Sequence, residues 1–442
     1  MADIQLSHRR VLRIAVPIVL ANATVPILGL VDTGVVGQLG QAAPIGAVGL
    51  GAVILSAVYW IFGFLRMGTT GLAAQASGAG DSDEVQALLS RALLIGLGAG
   101  AVMIALQVLI FNGAFLIAPA SAEVESLARD YMAIRIWSAP ATIALYGITG
   151  WLIAQERTRG VLLIQGLMNG ANIGLDLLFV LSFGWGVAGV AWATFIAEWS
   201  GLILGLWLCR GAFAGTAWRS VARVFDLVRL RHMAAVNGDI LIRSVLLQAI
   251  FVSFLFYGAG FGDVALAANQ ILLQFLHLTG FVLDGFAFAA EVLVGKALGA
   301  QARGTLRRAA LMTSVWGLGC CVVMAACFAL FGGVVIDLMT TAPDVQDMAR
   351  IFLPYMVAAP LLGVAAWMLD GIFIGATRTA DMRNMMIVSA IVYFASVIPL
   401  MALYGNHGLW IGMLISFVAR GVTLGMKYPG LEAAASGPIR AT

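Results

Sequence analysis

Charge is what this sequence has least of. Its 442 residues hold 25 Lys and Arg against 22 Asp and Glu, 11% charged in all, while 61% are hydrophobic. A soluble domain carries roughly a quarter of its residues charged, so an ordinary water-soluble fold is excluded. Cysteine is scarce as well. Cys209, Cys320, Cys321 and Cys327 form no C-x-x-C pair, have no histidine at ligand spacing and lie in or beside apolar segments, which reads as small buried hydrophobes. The four histidines, His8, His232, His277 and His407, fall in separate segments. Neither a metal cluster nor a nucleophile-base pair can be drawn from that spacing, so the chain is not expected to be an enzyme. The net charge of +3 is spread along the chain and gathers into no nucleic-acid-binding patch.

What the sequence has in abundance is long apolar runs of about twenty residues or more, enough at 1.5 Å per residue to cross a hydrocarbon core of roughly 30 Å. Twelve such spans are expected, near 11-36, 45-70, 88-112, 129-154, 160-182, 186-208, 233-258, 264-290, 306-333, 349-375, 383-403 and 406-427. The first opens like a signal peptide, but it lacks a clear A-x-A site, carries Pro17, Pro26 and Asp32, and is long enough to span. Arg9, Arg10, Arg13, Arg91, Arg157 and Arg159 fall on one side, with Arg378, Arg383, Arg420 and Lys427 of the second half. The opposite connections are short and hold Glu123, Glu125, Asp263, Asp344 and Asp347. By the positive-inside rule the arginine side is cytoplasmic, and both termini belong to it.

The longest cytoplasmic connection, 210-232, mixes arginines with apolar residues and reads as an amphipathic segment along the inner membrane surface. Around it the sequence repeats itself. "QAAPIGAVGLGAVILSAVYWIFGFLRMGTTGLAAQASGAGD" resembles "GDVALAANQILLQFLHLTGFVLDGFAFAAEVLVGKALGAQ", and "RDYMAIRIWSAP" resembles "ARIFLPYMVAAP". Six spans return the chain to its starting side, so the halves are expected to be parallel six-helix repeats. The expected division is a lobe at 1-209, a connection at 210-232, a second lobe at 233-427 and a cytoplasmic tail at 428-442.

Within the spans, the acids Asp32, Asp176, Glu198, Asp239, Asp284, Glu291 and Asp370 outnumber the bases Arg66, Arg135 and Arg243. Carboxylates in excess must be protonated, hold a metal cation or meet a cationic substrate. Asn172 and Asp176 are four residues apart on one helix face, with Asn169 a turn earlier. Together with Asp32 and Thr194 they can offer the hard oxygens that sodium or a proton relay needs, although an interhelical hydrogen-bond pair is the plainer alternative for Asn172 and Asp176. Pro17 and Pro26 each remove a backbone donor and tend to kink the helix of Asp32. Asp239 and Arg243, at i and i+4, suggest a structural ion pair, and Glu198 is expected to pair with an arginine. Asp284 and Glu291 are two turns apart, and Asp370 can join them as a second cation or substrate site or as a plain polar network.

The first-span stretch "VPIVLANATVPILGLVDTGVVGQLG", the "GLAAQASGAGD" close of span two and "NGANIGLDLLFV...GWGVAGVAWATFIAEW" resemble the multidrug and toxic compound extrusion (MATE) family, most of all its DinF-like branch. The resemblance spans nearly the whole chain. It implies an all-α polytopic membrane protein of twelve transmembrane helices in V-shaped lobes, a monomer of the bacterial inner membrane. It also implies export of amphipathic or cationic compounds in exchange for protons or sodium, without a resident cofactor. Carried over, the family's cation site falls on Asp32, Asn172, Asp176 and Thr194, and its helix-bending proline on Pro17. A tyrosine that some relatives carry one turn before the aspartate is Leu28 here. The alternative is a flippase for a lipid-linked precursor; it would favour a basic cavity, whereas the intramembrane balance is acidic.

Overall fold

In the bilayer interior no water is present to satisfy a bare peptide group, so a spanning chain must close its hydrogen bonds within each segment. The computed structural model describes residues 6-24, 31, 34-38 and 41-435, and all regular structure among them is helical. Pro26 and Asp32 lie outside the described residues. Helix α1, His8–Ala23, carries Pro17 in its interior. Helix α2, Ala42–Trp60, continues through the 3-10 turn Ile61–Gly63 into α3, Phe64–Gly78. Then come α4 (Ser82–Ala105), α5 (Gln107–Ile117), and α6 (Ala122–Arg135), which a 3-10 turn joins to α7 (Ala139–Ala154). Helices α8 (Thr158–Asp176) and α9 (Gly186–Leu208) complete the first half. The second half has the short α10 (Val221–Val224) and five long helices, α11 (Leu227–Ala259), α12 (Asp263–Gly299), α13 (Arg303–Met339), α14 (Pro343–Gly375) and α15 (Thr379–Tyr404), before α16 (Asn406–Ala434).

Eleven segments among the described residues are long and apolar enough to cross a membrane. They correspond to spans two to twelve of the sequence, and α1 to the described part of span one. Several run past their apolar windows because their ends are charged. Glu123 and Glu125 open α6, Asp263 opens α12 and Asp344 opens α14, each in the first turn, where the helix dipole favours an anion. Lys296 sits in the last turn of α12, where the dipole favours a cation.

Contacts divide the chain into two compact units. The N-terminal unit is Leu20–Ala73 with Asp81–Arg231, and the C-terminal unit is Met1–Val19 with Ala74–Gly80 and His232–Thr442. In the N-terminal unit α4 packs so closely on α7 that a Cβ on Gly100 would collide with the backbone of Pro140. In the C-terminal unit Gly375 of α14 lies on the main chain of Glu291 in α12, where a Cβ would strike the carbonyl oxygen. Small residues at such points let helices approach where lipid supplies no hydrophobic drive. The C-terminal core is aromatic, with Phe254 edge-on to Trp410 at 4.5 Å. A polar clasp crosses it: Asn269 and Asn406 exchange amide hydrogen bonds of 2.8 and 3.0 Å, and Trp410 Nε1 donates to Asn269 Oδ1 at 2.9 Å.

The connection at 210-232 contains two 3-10 turns and α10, and charge pins it to the start of α4. Arg91, 1% exposed, donates to the carbonyls of Val224 at 2.9 Å and Arg223 at 2.7 Å, and to Glu84 at 2.6 Å. Arg229 also bonds Glu84, and Arg223 bonds Asp81 at 3.1 Å. Asp226 accepts the Arg229 backbone N–H at 3.0 Å, and that bond holds its carboxyl below the usual pKa. Val221, Phe225 and Val228 remain exposed between the arginines, an amphipathic pattern suited to a membrane surface. Of the cysteines, Cys209 and Cys321 are buried as expected; Cys327 is exposed, and Cys320 is half-buried.

Candidate functional site

The sequence-based site centres on α8. Its helical period stacks Asn169, Asn172 and Asp176 along one face, and the fold buries all three, Asp176 completely. Asn172 Nδ2 donates to Thr194 Oγ1 on α9 at 3.0 Å, and Thr194 in turn donates to the Val190 carbonyl at 3.0 Å. Asn169 Nδ2 donates to Thr24 Oγ1, just past α1, at 2.6 Å. Both amides therefore spend a donor on a hydroxyl, and Asn169 Oδ1 accepts from Gln165 Nε2 at 3.3 Å. Thr24 is a residue that sequence reasoning missed; its place at the end of the first apolar helix was the available signal.

Immediately after Asp176 the helix widens into a π-turn, Leu177–Ser182, in which Phe183 N–H bonds Leu178 O at 3.0 Å. Such turns break the α ladder and recur at functional sites. An aromatic knot closes that end, with Phe179 stacked on Trp185 at 4.8 Å and glycines at positive φ on both sides of Trp185, Gly184 at 69° and Gly186 at 54°. Among the described residues no three His, Cys, Asp or Glu side chains form a metal group. The side chains on this face, Asn169, Asn172, Asp176 and neighbouring Thr194, carry amide, carboxylate and hydroxyl oxygens, which are hard donors by type.

Glu198, on α9 beyond Thr194, is taken up by a buried ion pair with Arg135. Arg135 also meets Tyr131 Oη at 3.3 Å and Ser138 Oγ at 3.3 Å, while Tyr59 Oη donates to its carbonyl at 3.1 Å. That fulfils the expected neutralisation of Glu198.

The second half corrects the expected Asp239–Arg243 pair. Asp239 does not pair with Arg243 along the helix; Arg383 on α15 bonds it, and Thr379 Oγ1 donates to it at 3.1 Å. Arg243 instead bonds Asp370 on α14. Arg420, assigned by sequence to the cytoplasmic side, is only 3% exposed within α16, its Nε 3.8 Å from the same Asp370 oxygen. An aspartate flanked by two guanidiniums is a poor cation site, because a metal ion must approach against both charges. Glu291 is buried on α12, and Asp284, half-buried, lies beside Gly285, which packs on the Ala15 carbonyl of α1. Pro17 is buried on α1.

A helical bundle with eleven evident spans among the described residues and polar groups buried between its helices defines a multi-pass membrane protein in class. The MatE family model matches residues 17–178 and again 240–403, one segment in each half. The chain belongs to the MATE family of multidrug efflux transporters. It is 36% identical to the DNA damage-inducible protein F of Escherichia coli K12, over 96% of this chain and 92% of that protein. It is 27% identical to a probable multidrug resistance protein NorM of Synechococcus, over 93% and 91% of the two chains. Among solved structures, the fold is similar to the Vibrio cholerae MATE transporter VcmN in its bent form, with a TM-score of 0.88, 19% identity and 97% of each chain covered. A MOP superfamily transporter from Pyrococcus furiosus is similar as well, with a TM-score of 0.81, 19% identity and 98% and 97% of the two chains covered.

Proposed function

We propose that the chain is a secondary antiporter that exports amphipathic or cationic compounds in exchange for protons or sodium by alternating access. The observation that carries this reading is the buried face of α8, where fully enclosed Asp176 stands one turn from the Asn172–Thr194 hydrogen bond. A carboxylate enclosed between membrane helices is costly, and binding a proton or a small cation relieves that cost. Asp32 is assigned to the same group from the sequence. The π-turn after Asp176 gives α8 a place to change geometry when the charge there changes. Cation binding then favours one conformation and substrate binding the other, and exchange needs only that the two ligands prefer different states. The membrane potential adds about 2.3 kcal/mol per net charge for each 100 mV. The 36% identity to protein F of E. coli supports placing the chain in the DinF-like branch, in the bacterial inner membrane. The division into lobes at 1-209 and 233-427, a monomeric state and cytoplasmic termini belong to the same proposal.

The test is efflux of a fluorescent lipophilic cation from oriented proteoliposomes under an imposed proton gradient or an imposed sodium gradient, wild type beside Asp32→Asn. Flux driven by one gradient and lost in the variant is the expected result. Flux kept in Asp32→Asn moves coupling to other acids, and absence of flux under every gradient points to a lipid-precursor flippase.

A further inference from the structure

Three charged side chains meet within the C-terminal unit: Arg243 on α11, Asp370 on α14 and Arg420 on α16. They are 8%, 5% and 3% exposed. Arg243 Nη2 donates to Asp370 Oδ2, and Arg420 Nε is 3.8 Å from that oxygen. Two guanidiniums thus share one carboxylate, leaving a surplus of one positive charge in this trio. Asp239, on the same helix as Arg243, does not cancel it, because Arg383 and Thr379 engage that carboxylate. Trp367 and Phe417 face the Arg420 guanidinium at 5.7 and 6.0 Å. Their ring attraction is weaker than the desolvation cost of a buried ion.

The hydrogen bonding is incomplete in the same sense. Arg243 Nε and Arg420 Nε are buried without a hydrogen-bond partner, as is Asp370 Oδ1. Arginine cannot shed its proton to escape this, so its N–H donors need an acceptor. The unfilled acceptor Asp370 Oδ1 limits what that acceptor can be. A divalent anion would overshoot the single surplus charge and repel the carboxylate, whereas a monovalent one balances the trio.

We propose that Arg243, Arg420 and Asp370 form a binding site for one small monovalent anion of the halide class, which accepts from the unspent guanidinium N–H groups. The site shares no residue with the proposed cation-coupling face and does not depend on it. The role is one of holding α11, α14 and α16 together. An anion that binds only the folded state raises its stability by mass action.

The probe is bromide, with chloride as competitor, added to the full chain in detergent at constant sodium and ionic strength with gluconate as the replacement anion. Wild type should show a saturable rise in thermal midpoint and saturable binding of radiolabelled chloride at one site per chain. Arg420→Met removes the surplus charge and should weaken bromide binding about tenfold or more, equivalent to about 1.4 kcal/mol. Arg420→Lys keeps the charge but lacks the Nε–H geometry, and should fall between the two. A bromide response that is linear in concentration, or equal in wild type and Arg420→Met, overturns the proposal. Should both variants fail to fold, absence of saturable chloride binding to the wild type overturns it equally.

Discussion

Asp176→Asn is expected to reduce gradient-driven export by one to two orders of magnitude while leaving the protein folded. The substitution is nearly isosteric, so the packing around this fully buried side chain is kept. The amide also keeps an acceptor and gains donors. What it cannot do is take up a proton at physiological pH or neutralise a monovalent cation. A tenfold loss corresponds to about 1.4 kcal/mol, and couplings between transported ligands of about 1–3 kcal/mol span roughly 5- to 150-fold. Flux in proteoliposomes, read beside the thermal midpoint of the purified variant, checks both halves of the expectation. Thr194→Val supplies the scale of a plain structural effect. It removes the acceptor of the 3.0 Å bond from Asn172 and should cost about 0.5–1.5 kcal/mol of stability, with partial loss of transport.

Arg135→Met should be the most destabilising single change in the N-terminal unit, by about 3–5 kcal/mol. Arg135 is 7% exposed and Glu198 is 8% exposed, so removing the cation strands a carboxylate inside the unit. Tyr131 and Ser138 also lose a partner at the junction where α6 passes into the 3-10 turn. The test of cause is the double replacement Arg135→Met with Glu198→Met, which removes both charges. Most of the lost stability should return, because a buried pair replaced by apolar side chains is often neutral or stabilising. Midpoints from thermal unfolding of the two single variants and the double variant close the cycle; equal loss in single and double variants would mean that packing, not charge, sets the effect.

Spans two to twelve were legible because apolar length is the condition for crossing a bilayer, and charge at the helix ends does not disturb it. The α8 face was legible for a related reason: Asn172 and Asp176 differ by one helical turn, and their spacing alone fixes their common direction. What the spacing did not convey was which helix faces it. Asp239 and Arg243 satisfy the i, i+4 rule, yet their arginine and aspartate partners lie far along the chain, on α15 and α14. Local spacing permits a pair; buried interhelical geometry decides it. Arg420 is a different case, because it is buried rather than set in a connection. Treating every arginine as a marker of the water boundary overlooks that α16 continues to Ala434, which puts Arg420 in mid-helix against Trp367 and Phe417. Glu198, Asp239 and Asp370 have arginine partners, so these three acids no longer count towards the carboxylate excess inferred from composition.

The central claim is that cation and exported compound compete through the α8 face. Its most direct test is the affinity of the purified protein for tetraphenylphosphonium, measured across pH and across sodium concentration, in wild type and Asp176→Asn. Linkage requires that the competing cation lower the affinity and that substrate binding release that cation, a proton or a sodium ion, into a weakly buffered solution. The account predicts such release and dependence in the wild type and their loss in Asp176→Asn. Affinity in the wild type that is indifferent to both pH and sodium, with no cation released, would contradict it.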